Sequence, residues 1–128
     1  REFPELESFK ESLRKSAETR GWVSTGFGRR VAVARDRAYT QAPAAYGQGT
    51  ARDVFLEGVL NLPKEVLEMV RIFVHDEIVL SVPADEAEDI KQCVLEAFES
   101  VQLPSADGVD IPVLADAAGP GSNWSECK

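Results

Sequence analysis

The run Arg71-Ile72-Phe73-Val74-His75-Asp76-Glu77-Ile78-Val79-Leu80-Ser81-Val82-Pro83 constrains the fold more than any other part of the chain. Two short stretches rich in β-branched and aromatic residues flank a His-Asp-Glu triplet, which predicts strand, tight turn, strand. Ile78, Leu80 and Val82 alternate with Val79 and Ser81, so one face of the second strand can pack on a core while the turn stays in solvent. Adjacent carboxylates at an open hairpin tip suit a hard divalent cation, because Mg²⁺ takes oxygen ligands and usually keeps one or two carboxylates plus substrate phosphates. A plain solvated turn also accounts for the triplet, since turns favour Asp and tolerate His and Glu.

Helices and a second hairpin are expected around this stretch. Residues 3–20 read as an amphipathic helix: Pro4 suits the first turn, Leu6, Phe9 and Leu13 repeat at three and four, and Gly21 can close the helix in the left-handed conformation. Residues 22–33 place apolar runs on either side of a Gly-x-Gly turn, a hairpin pattern. Arg29 and Arg30 follow that turn, where two guanidinium groups either bind phosphates bidentately or simply solvate the surface. Residues 35–45 are polar and end in Ala-Pro-Ala-Ala, which predicts a loop. A helix is then expected to open at Tyr46, carry Val54, Phe55, Val59, Leu60 and Leu62 toward a core, and stop at Pro63. Residues 64–69 read as a short helix or turn, and residues 84–100 as a helix with Asp85, Glu86, Glu88 and Asp89 at its dipole-positive start. A loop over 102–110 and a last strand over 109–115 complete the reading.

A length of 128 residues predicts a single core, and a start at Arg1 without Met suggests an excerpt of a longer polypeptide. No apolar run approaches the twenty or so residues that span a bilayer, and no basic-then-apolar leader is present, so a cytoplasmic protein with no membrane partner is expected. The net charge of −8 argues against free-standing nucleic-acid binding. Its distribution is more telling: ten Lys/Arg against six Asp/Glu up to Arg52, and four against sixteen from Asp53 onward, net charges of +4 and −12. Such a split suits a chain that touches a phosphate backbone with one part and holds cations with the other, although composition alone can produce it by chance. Cys93 and Cys127 lack paired spacing and read as free thiols in a reducing compartment. A single His argues against a Cys/His zinc site and against a His-Asp phosphohydrolase.

Val74-His75-Asp76-Glu77-Ile78-Val79-Leu80-Ser81-Val82-Pro83 resembles motif C of the family A DNA polymerases, the DNA polymerase I type. Three more stretches resemble the same family in matching order. The stretch from Trp22 to Val33 is similar to its Gly-Tyr-Val-x-Thr-x-x-Gly-Arg-Arg segment, and Gln48-Gly49-Thr50-Ala51-Arg52-Asp53 to its Gln-Gly-Thr/Ser-Ala-x-Asp. Gly119-Pro120-Gly121-Ser122-Asn123-Trp124 is similar to its closing Gly-x-Gly-x-Asn/Asp-Trp. The resemblance runs from about Phe3 to Trp124 and implies an α+β fold, an antiparallel palm-type sheet with a central β-hairpin flanked by helices. Residues 1–62 would form the end of the fingers with template- and primer-contacting elements, and residues 63–128 the palm with the motif C hairpin, a helix and a C-terminal strand.

The implied activity is DNA-directed DNA synthesis, nucleotidyl transfer to a primer 3′ hydroxyl by two-metal catalysis with Mg²⁺. Asp76 would hold metal, Glu77 would assist beside it, and Trp124 would plug a hydrophobic site. His75 and Gln48 would check the primer-template minor groove, where every Watson-Crick pair offers an acceptor, and Arg29 and Arg30 would lie near the template. The family places Asn four and Arg eight residues before the Gln; here those positions are Ala44 and Thr40, and Arg37 and Gln41 replace them only if the helix start is shifted by about three residues. Motif A and the fingers helix that handles the dNTP have no counterpart in these residues, so the chain is expected to act with the upstream part of a polymerase, on the same polypeptide or a separate one. The alternative is a non-catalytic, palm-like binding or assembly module.

Overall fold

A computed structural model describes residues 3–103, 109 and 111–127. The fold is α+β, with two small antiparallel hairpins flanked by helices. Contacts gather into two units, Arg1–Asp53 and Val54–Lys128, and two separate apolar clusters replace the single core that the length predicts.

The first unit begins with α1 (Pro4–Arg20), which starts on a proline and ends where Gly21, at φ 79°, turns left-handed and donates its N–H to the Ala17 carbonyl at 2.9 Å. Strands β1 (Trp22–Ser24) and β2 (Arg30–Ala32) pair antiparallel, Trp22 opposite Ala32 and Ser24 opposite Arg30. Leu13 and Ala17 of α1 pack with Val23, Val33, Ala38 and Ala42. The expected stripe of α1 is only partly used. Leu6 stays 47% exposed, and Phe9 meets Tyr46 edge-on at 4.9 Å, because the apolar surface offered by the hairpin reaches only the later turns of the helix.

The expected loop over 35–45 is instead a 3₁₀ turn (Arg35–Arg37) running into α2 (Ala38–Leu60), so the helix begins eight residues before Tyr46, with Pro43 inside it. Proline leaves the carbonyl four residues back without its helical donor. That carbonyl is Tyr39's, and Arg14 Nε donates to it at 3.3 Å while the same guanidinium stacks 3.9 Å over the Tyr39 ring. Ala38 and Ala42 are fully buried in the cluster, so the helix is held by packing and a substitute donor despite its proline.

In the second unit the end of α2 and the turn after it contribute Phe55, Val59 and Leu62, whereas Leu60, expected inside, is 73% exposed. Helix α3 (Lys64–Leu67) leads into β3 (Val70–Val74), which pairs with β4 (Glu77–Leu80). Ile78, Leu80 and Val82 do face the cluster of Leu62, Val66, Ile90 and Ala97, as their alternation predicts. Helix α4 (Ala87–Glu99) closes this cluster; its Phe98 tilts against Phe55 at 5.7 Å, and Asn61 donates to the Ala97 carbonyl. The strand expected over 109–115 is absent among the described residues of that range. Val109, Ile111 and Leu114 are 59%, 49% and 85% exposed, so no core covers these apolar side chains. Asp110 and most of the expected 102–110 loop lie outside the described residues. Among the described residues no helix is long and apolar enough to cross a membrane.

Candidate functional site

Pairing of Val74 with Glu77 leaves His75 and Asp76 as a two-residue loop. Hairpins this tight need positive φ to match the twist of their strands, and His75 supplies it at φ 53°. The constraint aims the tip: Asp76 is exposed, and among the described residues its carboxylate has no hydrogen-bond or ion-pair partner. Glu77, also exposed, accepts the Trp124 indole N–H at 3.3 Å. Trp124 therefore does not plug a hydrophobic site; it is 46% exposed and holds the second acid of the pair. Its segment is tied back by Lys91 Nζ, which donates to the Gly119 carbonyl at 3.0 Å. Among the described residues no three His, Cys, Asp or Glu side chains gather to hold a metal by themselves.

The first unit carries a separate groove of about 420 Å³ between β2 and α2. Gln41 and Gln48, two helical turns apart, line it together with Arg29, Val31 and Ala44. Since α2 starts at Ala38, Thr40 and Ala44 do stand on the helix ahead of Gln48, and Gln41 is the polar side chain that shares its groove. Arg37 ends the 3₁₀ turn and is exposed.

A buried carboxylate holds this groove in shape. Asp53, with its side chain 8% exposed, accepts Arg29 Nε at 2.6 Å on one oxygen and the Thr25 hydroxyl at 2.5 Å on the other. Arg29 also donates Nη2 to the Gly49 carbonyl at 3.1 Å, and its backbone N–H bonds Thr25 Oγ1 at 3.2 Å. Thr25 fits because position 49 has no side chain: a Cβ there would lie 2.7 Å from Thr25 Cγ2. Arg29 is thus a strut between hairpin and helix, whereas Arg30 lies with its guanidinium 4.5 Å over the Trp22 ring. The Thr25-Arg29-Asp53 set was not visible as a unit in the sequence, since 24 residues separate the arginine from its acid.

The sequence model of the family described as DNA polymerase family A matches residues 1–126. The chain belongs to DNA polymerase family A. This family A chain is 33% identical to the thermostable DNA polymerase I of Thermus filiformis over 98% of its own length and 16% of the relative's. It is 30% identical to the DNA polymerase I of Lactococcus lactis subsp. cremoris and 26% identical to that of Rhizobium leguminosarum, over 98% and 97% of its length and 15% and 14% of theirs. The family A chain therefore spans about a seventh to a sixth of the relatives it matches.

Proposed function

We propose that this chain contributes the metal-binding hairpin and the primer-template contacts of a DNA-directed DNA polymerase, working in the cytoplasm. The observation that carries the reading is Asp76, an unengaged carboxylate at the tip of a conformationally fixed turn in a chain matched by the family almost end to end. The donor chemistry fits Mg²⁺ as part of a shared ligand set: Asp76 would hold the ion through one carboxylate, with a further carboxylate and substrate phosphates supplied from outside this hairpin. Bound there, Mg²⁺ would supply charge stabilisation for in-line displacement at the α-phosphorus of a dNTP. The chain's own residues do the rest. Glu77 orients the tip through Trp124, and His75 presents its imidazole at the same turn to the primer end. Gln48, exposed on its groove, donates to minor-groove acceptors common to all base pairs, with Gln41 beside it, while Arg30 and Arg37 face the backbone and Arg29 holds the groove open to them. Residues 1–62 would then serve as the end of the fingers and residues 63–128 as palm.

The test is primer extension by the full-length enzyme. Asp76→Asn is expected to reduce the extension rate by about 10²–10⁴, the equivalent of several kcal/mol of lost transition-state stabilisation, with DNA affinity retained. Near-normal extension would remove Asp76 from the metal site and favour the non-catalytic module.

A further inference from the structure

Residues 119–127 fold into a knuckle of their own. Gly119 turns left-handed at φ 85°, and a Cβ there would lie 2.9 Å from Cys127 Sγ, so glycine lets the chain double back over residues 126 and 127. The Glu126 carboxylate accepts the Ser122 N–H at 2.8 Å on one oxygen and Asn123 Nδ2 at 2.7 Å on the other. The Ser125 hydroxyl donates to Asn123 Oδ1 at 2.5 Å, and a 3₁₀ turn (Trp124–Glu126) closes the loop. Both halves of the knuckle reach the body of the second unit: Lys91 Nζ donates to the Gly119 carbonyl at 3.0 Å, and Trp124 Nε1 donates to Glu77 Oε1 at 3.3 Å.

Lys91 has acids all around it in sequence and binds none of them. Residues 53–128 carry sixteen acidic and four basic side chains, and Lys91 follows Glu88 and Asp89 on α4. Among the described residues it takes part in no ion pair; its ammonium goes instead to a backbone carbonyl 28 residues away. The side chain is half-buried and starts beside Ile90, which is buried in the apolar cluster, so its root is fixed. A charged donor makes a stronger bond to that carbonyl than a neutral one, which seats the knuckle at a definite place on α4. Glu77, an exposed side chain, is in turn held only as firmly as the indole that binds it. A carboxylate free to change rotamer loses that freedom when it meets a cation, whereas one already held does not.

We propose that Lys91 is a positioning residue for the acid pair at the hairpin tip: by seating the Gly119 carbonyl it holds the knuckle where Trp124 fixes the Glu77 carboxylate beside Asp76. The proposal rests on the reading of Asp76 as a metal-holding carboxylate and deepens it. Lys91 acts through Gly119, Trp124 and Glu77 in turn. With one Glu77 oxygen occupied by the indole, the other keeps one direction next to Asp76. Loss of Lys91 is then felt as a weaker hold on the cation, and the carboxylates themselves remain in place.

The experiment uses the full-length enzyme, read by single-turnover extension over a Mg²⁺ series and by hydrogen exchange of residues 119–127. Lys91→Met is expected to raise the Mg²⁺ concentration for half-maximal extension by about three- to tenfold, the weight of one ordinary hydrogen bond, and to speed exchange in 119–127. Lys91→Arg, whose guanidinium can donate to the same carbonyl, restores both readings. Should Lys91→Met fail to fold, Lys91→Gln, with a shorter and neutral donor, is expected to shift both in the same direction. Trp124→Phe keeps an aromatic ring and removes the N–H; it reproduces the Mg²⁺ shift, and adding Lys91→Met to it shifts nothing further, because the two act along one route. A merely structural lysine would loosen 119–127 and leave the Mg²⁺ dependence alone. That result, additive shifts in the double variant, or exchange in 119–127 at the wild-type rate would each overturn the proposal. If Asp76→Asn abolishes extension while Lys91→Met responds to Mg²⁺ like the wild type, this inference falls and the polymerase reading stands; normal extension by Asp76→Asn overturns both.

Discussion

Replacing Asp53 tests whether the groove beside Gln48 is held by one buried carboxylate. Asp53→Ala deletes the acceptor of both the Arg29 Nε bond and the Thr25 hydroxyl bond. Removing one partner of a buried ion pair costs about 3–5 kcal/mol when the remaining charge stays buried. Arg29 is 48% exposed, so water can reclaim its guanidinium and the charge contribution shrinks. Thr25 is only 4% exposed; its hydroxyl still accepts the Arg29 N–H but loses its acceptor, at about 1 kcal/mol. The expected total is about 2–3 kcal/mol, a large share of the roughly 5–15 kcal/mol that holds a domain together. Asp53→Asn, which keeps the shape and one acceptor oxygen, should lose about half of that. Urea unfolding of the chain measures both, with the midpoint shifting and the slope unchanged. A double-mutant cycle with Thr25→Val should show coupling, because the two side chains share one bond. Additive losses, or an Asp53→Ala variant within about 0.5 kcal/mol of wild type, would refute the argument, since that is the range of an ordinary surface substitution.

Two glycines of α2 separate helix propensity from packing. A Cβ at Gly47 meets nothing within 4 Å, so Gly47→Ala is expected to stabilise by up to about 1 kcal/mol, whereas Gly49→Ala drives a Cβ to 2.7 Å from Thr25 Cγ2 and should cost about 1–3 kcal/mol in the same urea assay. His75→Val puts a β-branched residue at φ 53° and should destabilise by about 1–2 kcal/mol, against a near-neutral His75→Gly. Gln48→Ala in the full-length enzyme should change extension from a matched primer end by a different factor than from a mismatched one; equal factors in single-turnover measurements would remove Gln48 from the minor groove.

Local chemistry made several elements legible without coordinates. Period-two alternation through Ile78, Leu80 and Val82 indicated which side chains are covered, and the His-Asp-Glu triplet between two β-rich runs marked the turn, although Glu77 pairs with Val74 in β4 and only His75 and Asp76 form the loop. Pro4 and Gly21 marked both ends of α1 because each carries its own backbone restriction. Four motifs in order were enough to indicate the family. What failed had its cause at a distance. Pro43 reads as a helix breaker until Arg14, 25 residues before Tyr39, supplies the missing donor. Residues 109–115 read as a strand, yet among the described residues of that range none is in one. Arg29 and Arg30 are identical as letters, and only the fold separates them, binding one to a buried acid and laying the other on an indole with its donors outward. Sequence sets what each residue is able to do within a few positions of itself; hydrogen bonds and ring contacts between remote residues decide which of those capacities is already used.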